Sequence, residues 1–350
     1  MDKIKIGKFE ISETSPCFVI AEIGHNHQGD LETAKKLIDE AAACGAQAVK
    51  LQKRFNKTLY TKAMYNRLYD NENSFGRTYG EHREALEFDK EEYLELKAYA
   101  HKKHLVFFAT AFDFESVEFL EEIEVPAYKI ASADLTHHSL VEYIAKKKKP
   151  IFLSTGASRL EDVKEAYEIV RKYNHKICIM QCTSCYPANP EDLHLNVIRT
   201  YKREFPEAII GYSSHDNGIV MPVIAYILGA RVVEKHFTLN RAMKGTDHKF
   251  SLEPVGLRKM VRDLNRAYVA LGSEEKRCYP LELEAKEKMG KSIVTAREVR
   301  QGEIITEEMI AFKSPGNGIL PSYTNISKIL GKKLKVNLPE DTSLEWSHFE

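Results

Sequence analysis

Eight short apolar runs constrain this chain more than any other feature. They are Cys17–Gly24, Ala46–Gln52, Leu105–Ala111, Ala127–Ser132, Pro150–Gly156, Lys176–Ser184, Ala208–Ser214 and Arg231–Thr238. Their length and their flanking Gly and Pro residues read as buried strands. Stretches with helical apolar spacing lie between them, most clearly Leu31–Cys44, Lys90–Lys103, Glu115–Glu124, Leu160–Tyr173 and Gly256–Leu271. Eight β-α units in about 250 residues match a closed (β/α)8 barrel of the TIM type. An open doubly wound sheet is the alternative, but no glycine-rich phosphate fingerprint follows the first strand.

The chain of 350 residues exceeds what one core usually supports. Residues 1–272 are expected to form the barrel, residues 273–285 a linker, and residues 286–350 a small, mostly β domain. In that last part, Val299–Ile310 and Leu338–Phe349 echo one another: each sets a turn before two apolar anchors. The connection Lys53–Glu87 lacks periodicity and is too long for a plain βα loop, so it reads as a lid. A short alternating piece, Lys3–Ile6, precedes the barrel.

Composition excludes some partners. Lys+Arg and Asp+Glu balance at 51 each, which gives no reason to expect nucleic acid or an anionic membrane. No apolar run approaches the ~18 residues of a membrane span. The first residues lack the pattern of a secretory signal. Six cysteines in a chain of this length do not form a disulfide framework, so a reducing cytoplasm is expected.

Barrels of this kind place chemistry at the C-terminal ends of their strands. Here those ends carry Glu22, Lys50, Gln52, Thr110, Lys129, Ser132, Ser154, Thr155, Ser184, Ser213, His215, Glu234 and His236. Glu234 and His236 lie two apart, so an extended strand points both to one side. Lys50 and Lys129 sit within apolar runs, where an ammonium requires an anionic partner. Two lysines among hydroxyls form a seat for phosphate or carboxylate. His215 and His236, on adjacent strands, are candidate ligands for one divalent metal. Glu22 is either reactive or salt-bridged to a lysine. Cys182-Thr-Ser-Cys185 has a redox-like spacing but ends a strand without a second pair, and reads as buried packing. Lys146–Lys149 reads as a solvated helix end. Asn26 and His27 are expected to contact ligand or backbone.

Six ordered motifs together resemble the sialic acid synthase family: Ala21-Glu-Ile-Gly-His-Asn-His-Gln-Gly29, Tyr128-Lys-Ile-Ala-Ser132, Leu153-Ser-Thr-Gly156, Gln181-Cys-Thr-Ser-Cys-Tyr-Pro187, Gly211-Tyr-Ser-Ser-His215 and Glu234-Lys-His-Phe-Thr238. The tail, with Pro315-Gly-Asn-Gly318, resembles that family's antifreeze-like SAF domain. The resemblance implies condensation of phosphoenolpyruvate with an N-acetylhexosamine, typically N-acetylmannosamine or its 6-phosphate, and loss of phosphate by C–O cleavage. Legionaminic and pseudaminic acid synthases share that chemistry with other hexoses. Residue by residue, it implies that His215 and His236 bind Mn2+ or Mg2+ and that Glu22 serves the reacting centre. It assigns Asn26, Lys50, Thr110, Lys129, Ser132, Ser154, Ser184 and Ser213 to phosphoenolpyruvate. Gln52, Asp134, Tyr186 and Asp247 fall to the sugar. It also implies a domain-swapped homodimer, each tail covering the partner's barrel mouth. Some bacterial members carry an arginine for that purpose where this chain has Ser314. The insert around Tyr79–Phe88 resembles the animal branch, which takes the phosphorylated sugar. Lys57, Lys62, Arg67, Arg77 and Arg83 are the insert's candidates for that phosphate, with a solvated lid as their alternative.

Overall fold

The computed structural model describes residues 3–350. The chain divides into two compact units, Met1–Gly272 and Ser273–Glu350. In the first, eight parallel strands pair in sequence order: β1 (Phe18–Gly24), β2 (Ala48–Lys53), β3 (Val106–Ala111), β4 (Tyr128–Ile130), β5 (Ile151–Ser154), β6 (Ile177–Cys182), β7 (Ile209–Ser214) and β8 (Val232–His236). Strand β8 returns to β1, with Glu234 opposite Ile20 and His236 opposite Glu22, and closes the barrel. Each expected strand is present and begins one or two residues later than expected; β4, β5, β6 and β8 also end two residues earlier, where their polar ends turn into loops, and β2 runs one residue further, to Lys53.

The outer layer is α1 (Leu31–Ala43), α2 (Lys90–Lys102), α3 (Phe114–Glu122), α4 (His138–Lys146), α5 (Leu160–Arg171), α6 (Val197–Glu204), α7 (Val220–Leu228) and α8 (Pro254–Leu271). Asp30, Asp89 and Asp113 start α1, α2 and α3 by accepting a backbone N–H from the first turn. Helices α4, α6 and α7 were not distinct in the sequence. Eight or nine residues give barely two turns of period, and α7 is apolar on nearly every side.

The barrel is filled, not hollow. Phe152 packs between Phe18 and Phe108, at 6.3 and 5.3 Å between ring centres. Ile4–Ile6 pairs with Phe9–Ile11 as a hairpin, and Phe9 meets Phe18 edge-on at 5.5 Å. Apolar rings therefore occupy the N-terminal half of the interior, and polar side chains are confined to the other end.

The insert after β2 is ordered locally. It holds helical turns at Asn56–Leu59, Lys62–Tyr65 and Tyr79–Glu84, and a bridge between Leu68 and Thr78. Tyr60 and Tyr69 pack against Tyr79, and Tyr69 against His82. Lys57, Lys62, Arg67 and Arg77 are exposed, whereas Arg83 turns inward.

The second unit has its own core of Ile293, Val299, Ile305, Ile319, Ile329, Leu334, Leu338, Leu344 and Phe349. Strands β9 (Ser292–Thr295) and β10 (Ile310–Lys313) pair antiparallel. The two echoing segments meet where Val299 and Leu338 exchange both backbone hydrogen bonds, at 2.9 and 2.8 Å. Their second anchors, Ile305 and Leu344, are both buried. Within the expected linker, Pro280–Glu282 forms a turn and the helix Leu283–Met289 begins.

Candidate active site

Alternation along the strands gathers the charged residues at the barrel's C-terminal mouth. Lys50 Nζ lies 2.6 Å from Glu22 Oε2 and 2.6 Å from Thr110 Oγ1. Glu234 Oε1 stands between two ammonium groups, 3.6 Å from Lys50 Nζ and 3.6 Å from Lys129 Nζ. All four charged side chains are buried. Such a cluster is expensive to assemble, and each member depends on its partners. The two acids differ in character. Burial, followed by repulsion from Glu234, outweighs Lys50 and pushes the Glu22 carboxyl up to about 7. Burial also works to raise Glu234, but Lys129 and Lys50 together hold it below the usual carboxylate range. Burial thus favours the protonated form of Glu22, while the two lysines favour the charged form of Glu234.

Gln52 Nε2 donates to Glu22 Oε1 at 2.7 Å. Asp134 sits in the turn Ser132–Asp134 after β4, with Oδ2 buried and unbonded. Burial, which Arg54 only partly opposes, raises its carboxyl to about 6.

The hydroxyls lie across the barrel. Ser154 Oγ is buried without a partner, and Ser213 is buried on β7 opposite Glu234. Gly156 N donates to Ser132 Oγ at 2.8 Å. A Cβ at Gly156 would come within 2.1 Å of Ser184 Oγ and 2.9 Å of Ser132 Oγ, so only glycine leaves both hydroxyls clear. Thr155 Oγ1 is used internally, donating to Met180 O and accepting from Tyr201.

His215 and His236 face each other with ring centres 5.5 Å apart. His215 Nδ1 is 2.8 Å from Thr183 O, which leaves Nε2 as the outward nitrogen. His236 Nδ1 is buried without a hydrogen bond, 3.7 Å from Asp247 Oδ2. Burial, against the pull of Asp247, lowers the His236 imidazole to about 3, so it is neutral and able to act as a ligand. Phe250 packs on both rings, at 6.1 and 4.9 Å, and Tyr186 on His215 at 4.2 Å. Among the described residues, no group of three or more His, Cys, Asp and Glu is arranged to hold a metal. The structure brings together two imidazole donors at the mouth, fewer than the three protein ligands of a typical open catalytic metal site.

Other expected residues have structural partners. Asn26 Nδ2 donates to Phe237 O at 2.8 Å and Ser251 Oγ at 3.0 Å, tying the loop after β1 to the loop after β8. His27 accepts from Gly29 N at 3.0 Å and stacks on Phe88. Tyr186 is 58% exposed. Cys182 is buried and Cys185 exposed, and neither is in a disulfide. Lys147 and Lys149 pair with Glu118 and Glu121 beside the end of α4. Ser314 accepts from Lys291 Nζ at 2.7 Å, and Lys313 pairs with Asp341.

Three features escaped the sequence reading. Phe250 comes from the loop after β8 and had no periodic signal. Lys235, facing outward from β8, is buried and bonded to Ser214 and Asp216. Arg54 continues the Lys50, Gln52 alternation and donates to Gln52 Oε1 at 2.7 Å; that parity was the available signal.

Comparison with known proteins identifies the family. The NeuB family matches residues 37–276, and the SAF domain matches residues 290–350. Human N-acetylneuraminate-9-phosphate synthase is 42% identical over 330 residues, covering 94% of this chain and 91% of that protein. The N,N'-diacetyllegionaminic acid synthase of Legionella pneumophila is 36% identical over 340 residues, covering 95% of each. The crystal structure of the N-acetylneuraminic acid synthetase of Leptospira borgpetersenii, in complex with citrate, superposes with a TM-score of 0.71 at 34% identity, covering 81% of this chain and 95% of that one. No helix among the described residues is long and apolar enough to cross a membrane. The chain therefore belongs to the NeuB family of sialic acid synthases, enzymes built here from a closed barrel and a C-terminal SAF domain.

Proposed function

We propose that this enzyme condenses phosphoenolpyruvate with an N-acetylhexosamine, N-acetylmannosamine or its 6-phosphate, to give a nine-carbon 2-keto acid and phosphate. The observation that carries the reading is the buried set of Lys50, Lys129, Glu22 and Glu234 beside two facing imidazoles. Two ammonium groups within an apolar barrel suit a small, highly anionic substrate. Lys50, Thr110 and Lys129 would hold its carboxylate or phosphate, with Ser132, Ser154, Ser184 and Ser213 as hydroxyl donors.

In the reaction, C3 of phosphoenolpyruvate bonds to the aldehyde carbon, and the aldehyde oxygen takes up a proton. Water adds to C2 and loses a proton. The C2–O bond to phosphate then breaks as the C2 hydroxyl gives up its proton, which leaves with the phosphate, and the keto group forms. Glu22, with its carboxyl near 7, is the group suited to take the water proton and return one. Gln52, Asp134, Tyr186 and Asp247 orient the sugar. A divalent cation held by His215 and His236, Mn2+ or Mg2+, would supply Lewis-acid polarisation of the aldehyde oxygen. The same reading includes a homodimer, tested by sedimentation.

A legionaminic or pseudaminic acid synthase is the second reading, favoured by the likeness to the Legionella enzyme. Phosphate release from phosphoenolpyruvate with Mn2+, measured with each hexose and its 6-phosphate, separates them. Release that needs one particular aldehyde sugar supports condensation. Release without any sugar contradicts it.

A further inference from the structure

The loop that leaves β8 carries Asp247 and Phe250 to the imidazoles, and other segments of the chain hold it there. Asp247 Oδ2 lies 3.7 Å from His236 Nδ1, and Phe250 packs on both rings. Asp247 hangs between two anchors. On its C-terminal side, Asp247 O accepts from Ser251 Oγ at 2.6 Å, and Ser251 Oγ accepts from Asn26 Nδ2 at 3.0 Å. On its N-terminal side, Gly245 N donates to Asn73 Oδ1 at 3.0 Å. Gly245 has φ +138°, and a Cβ there would come within 2.9 Å of the His248 ring, so the turn requires glycine. Beside it, Lys244 O accepts from Gln28 Nε2 at 2.6 Å, and the Lys244 ammonium lies 4.9 Å from the centre of the Phe75 ring.

Asn73 and Phe75 belong to the insert after β2, and the insert fixes them from within. Asn73 N donates to Asn71 Oδ1 at 2.9 Å, and Asn71 N to Ser74 Oγ at 2.9 Å. Ser74 Oγ donates in turn to Tyr69 O at 2.5 Å. Phe75 N donates to Nδ1 of the buried His82 at 3.1 Å, and that ring packs on Tyr69 at 4.6 Å. An ordered run therefore leads from a buried imidazole to the Gly245 amide. A segment that swings open is drawn from weakly bonded structure. This tip is bonded both to its own insert and to the loop it meets.

We propose that the insert is a brace and that Asn73 is a positioning residue, which sets Asp247 on the sugar side of the site by holding the Gly245 amide. The lysines and the serine hydroxyls assigned to phosphoenolpyruvate stand on the barrel strands and their adjoining turns, whose backbone Asn73 does not touch. Loss of the brace therefore falls on the sugar. Gln28 still holds Lys244 O when Asn73 is replaced, so the loop loses precision and keeps its fold. The identity of the ligand rests on the condensation reading; the brace does not.

Two measurements on the full-length protein test it. Asn73→Ala removes the acceptor, and Asn73→Asp keeps one. Amide exchange followed by mass spectrometry should be at least fivefold faster across residues 239–250 in Asn73→Ala, and close to the unaltered rate in Asn73→Asp. In steady-state assays, Asn73→Ala should raise the KM for the hexose about three- to tenfold, the range set by one neutral hydrogen bond. The KM for phosphoenolpyruvate should stay within about twofold, and Asn73→Asp should restore the hexose value. Unchanged exchange in Asn73→Ala overturns the brace. So do two KM values that rise together, or an aspartate variant no better than alanine. If no hexose turns over, the condensation reading fails by itself, and the exchange rates alone decide on the brace.

Discussion

Replacing Glu22 by Gln gives the sharpest check on the electrostatics of the site. Gln keeps the shape and resembles the protonated acid. Glu22 is 1% exposed, and its carboxyl rises from 4.5 in an open chain to about 7 in the fold. A raised acid pKa means that the folded state holds the proton between those values while the unfolded state has released it. Stability attributable to Glu22 is therefore intact below about pH 4.5 and falls as pH rises through about 7. At 1.36 kcal/mol per pKa unit, the native enzyme should lose about 2 to 3 kcal/mol between pH 5 and pH 8 that the variant does not lose. Urea unfolding of both proteins, followed by far-UV circular dichroism, measures the difference. Fluorescence is unsuitable, because the single tryptophan, Trp346, lies in the second unit and does not report on the barrel. Parallel stability profiles for the two proteins would refute the claim that Glu22 titrates near neutrality. On the proposed mechanism the variant should also lose most of its kcat, since Gln cannot exchange the water proton.

Four further outcomes follow from the same geometry. Lys129→Met leaves Glu234 with one cation and removes an anion donor, so the KM for phosphoenolpyruvate should rise at least tenfold in steady-state assays. Gly156→Ala drives a methyl group into Ser132 and Ser184, and should raise the same KM while the sugar's changes less. His236→Ala should reduce phosphate release below detection, and EDTA should do the same to the unaltered enzyme until Mn2+ is restored; normal rates in either experiment would remove the metal role. Asp216→Ala strands the buried Lys235 ammonium without its anion, costing about 3–5 kcal/mol in denaturant unfolding.

The barrel was legible because eight apolar runs and their polar ends repeat one pattern, and closure needs no more than that. Parity along β2 and β8 brought Lys50, Gln52, Glu234 and His236 to one side before any contact was known. What alternation could not reveal was partnership. That Glu234 stands between Lys50 and Lys129, or that Lys50 reaches Glu22, depends on neighbouring strand register, which one sequence does not encode locally. Asn26, expected to contact ligand or backbone, meets backbone through its amide, which ties two loops together. Phe250 comes from the loop after β8, where no periodicity points inward, and only the folded chain places it. The echo in the second unit was legible as sequence, but its meaning, a mutual bridge between Val299 and Leu338, required the structure.

The central claim is that phosphate leaves phosphoenolpyruvate through its C–O bond while C3 attacks an aldehyde sugar. Phosphoenolpyruvate carrying 18O at the bridging position tests this in one mass-spectrometric measurement. The account predicts that the label appears in the released phosphate, and only when the aldehyde sugar is present. Label retained in the organic product, or labelled phosphate formed equally without sugar, would contradict it.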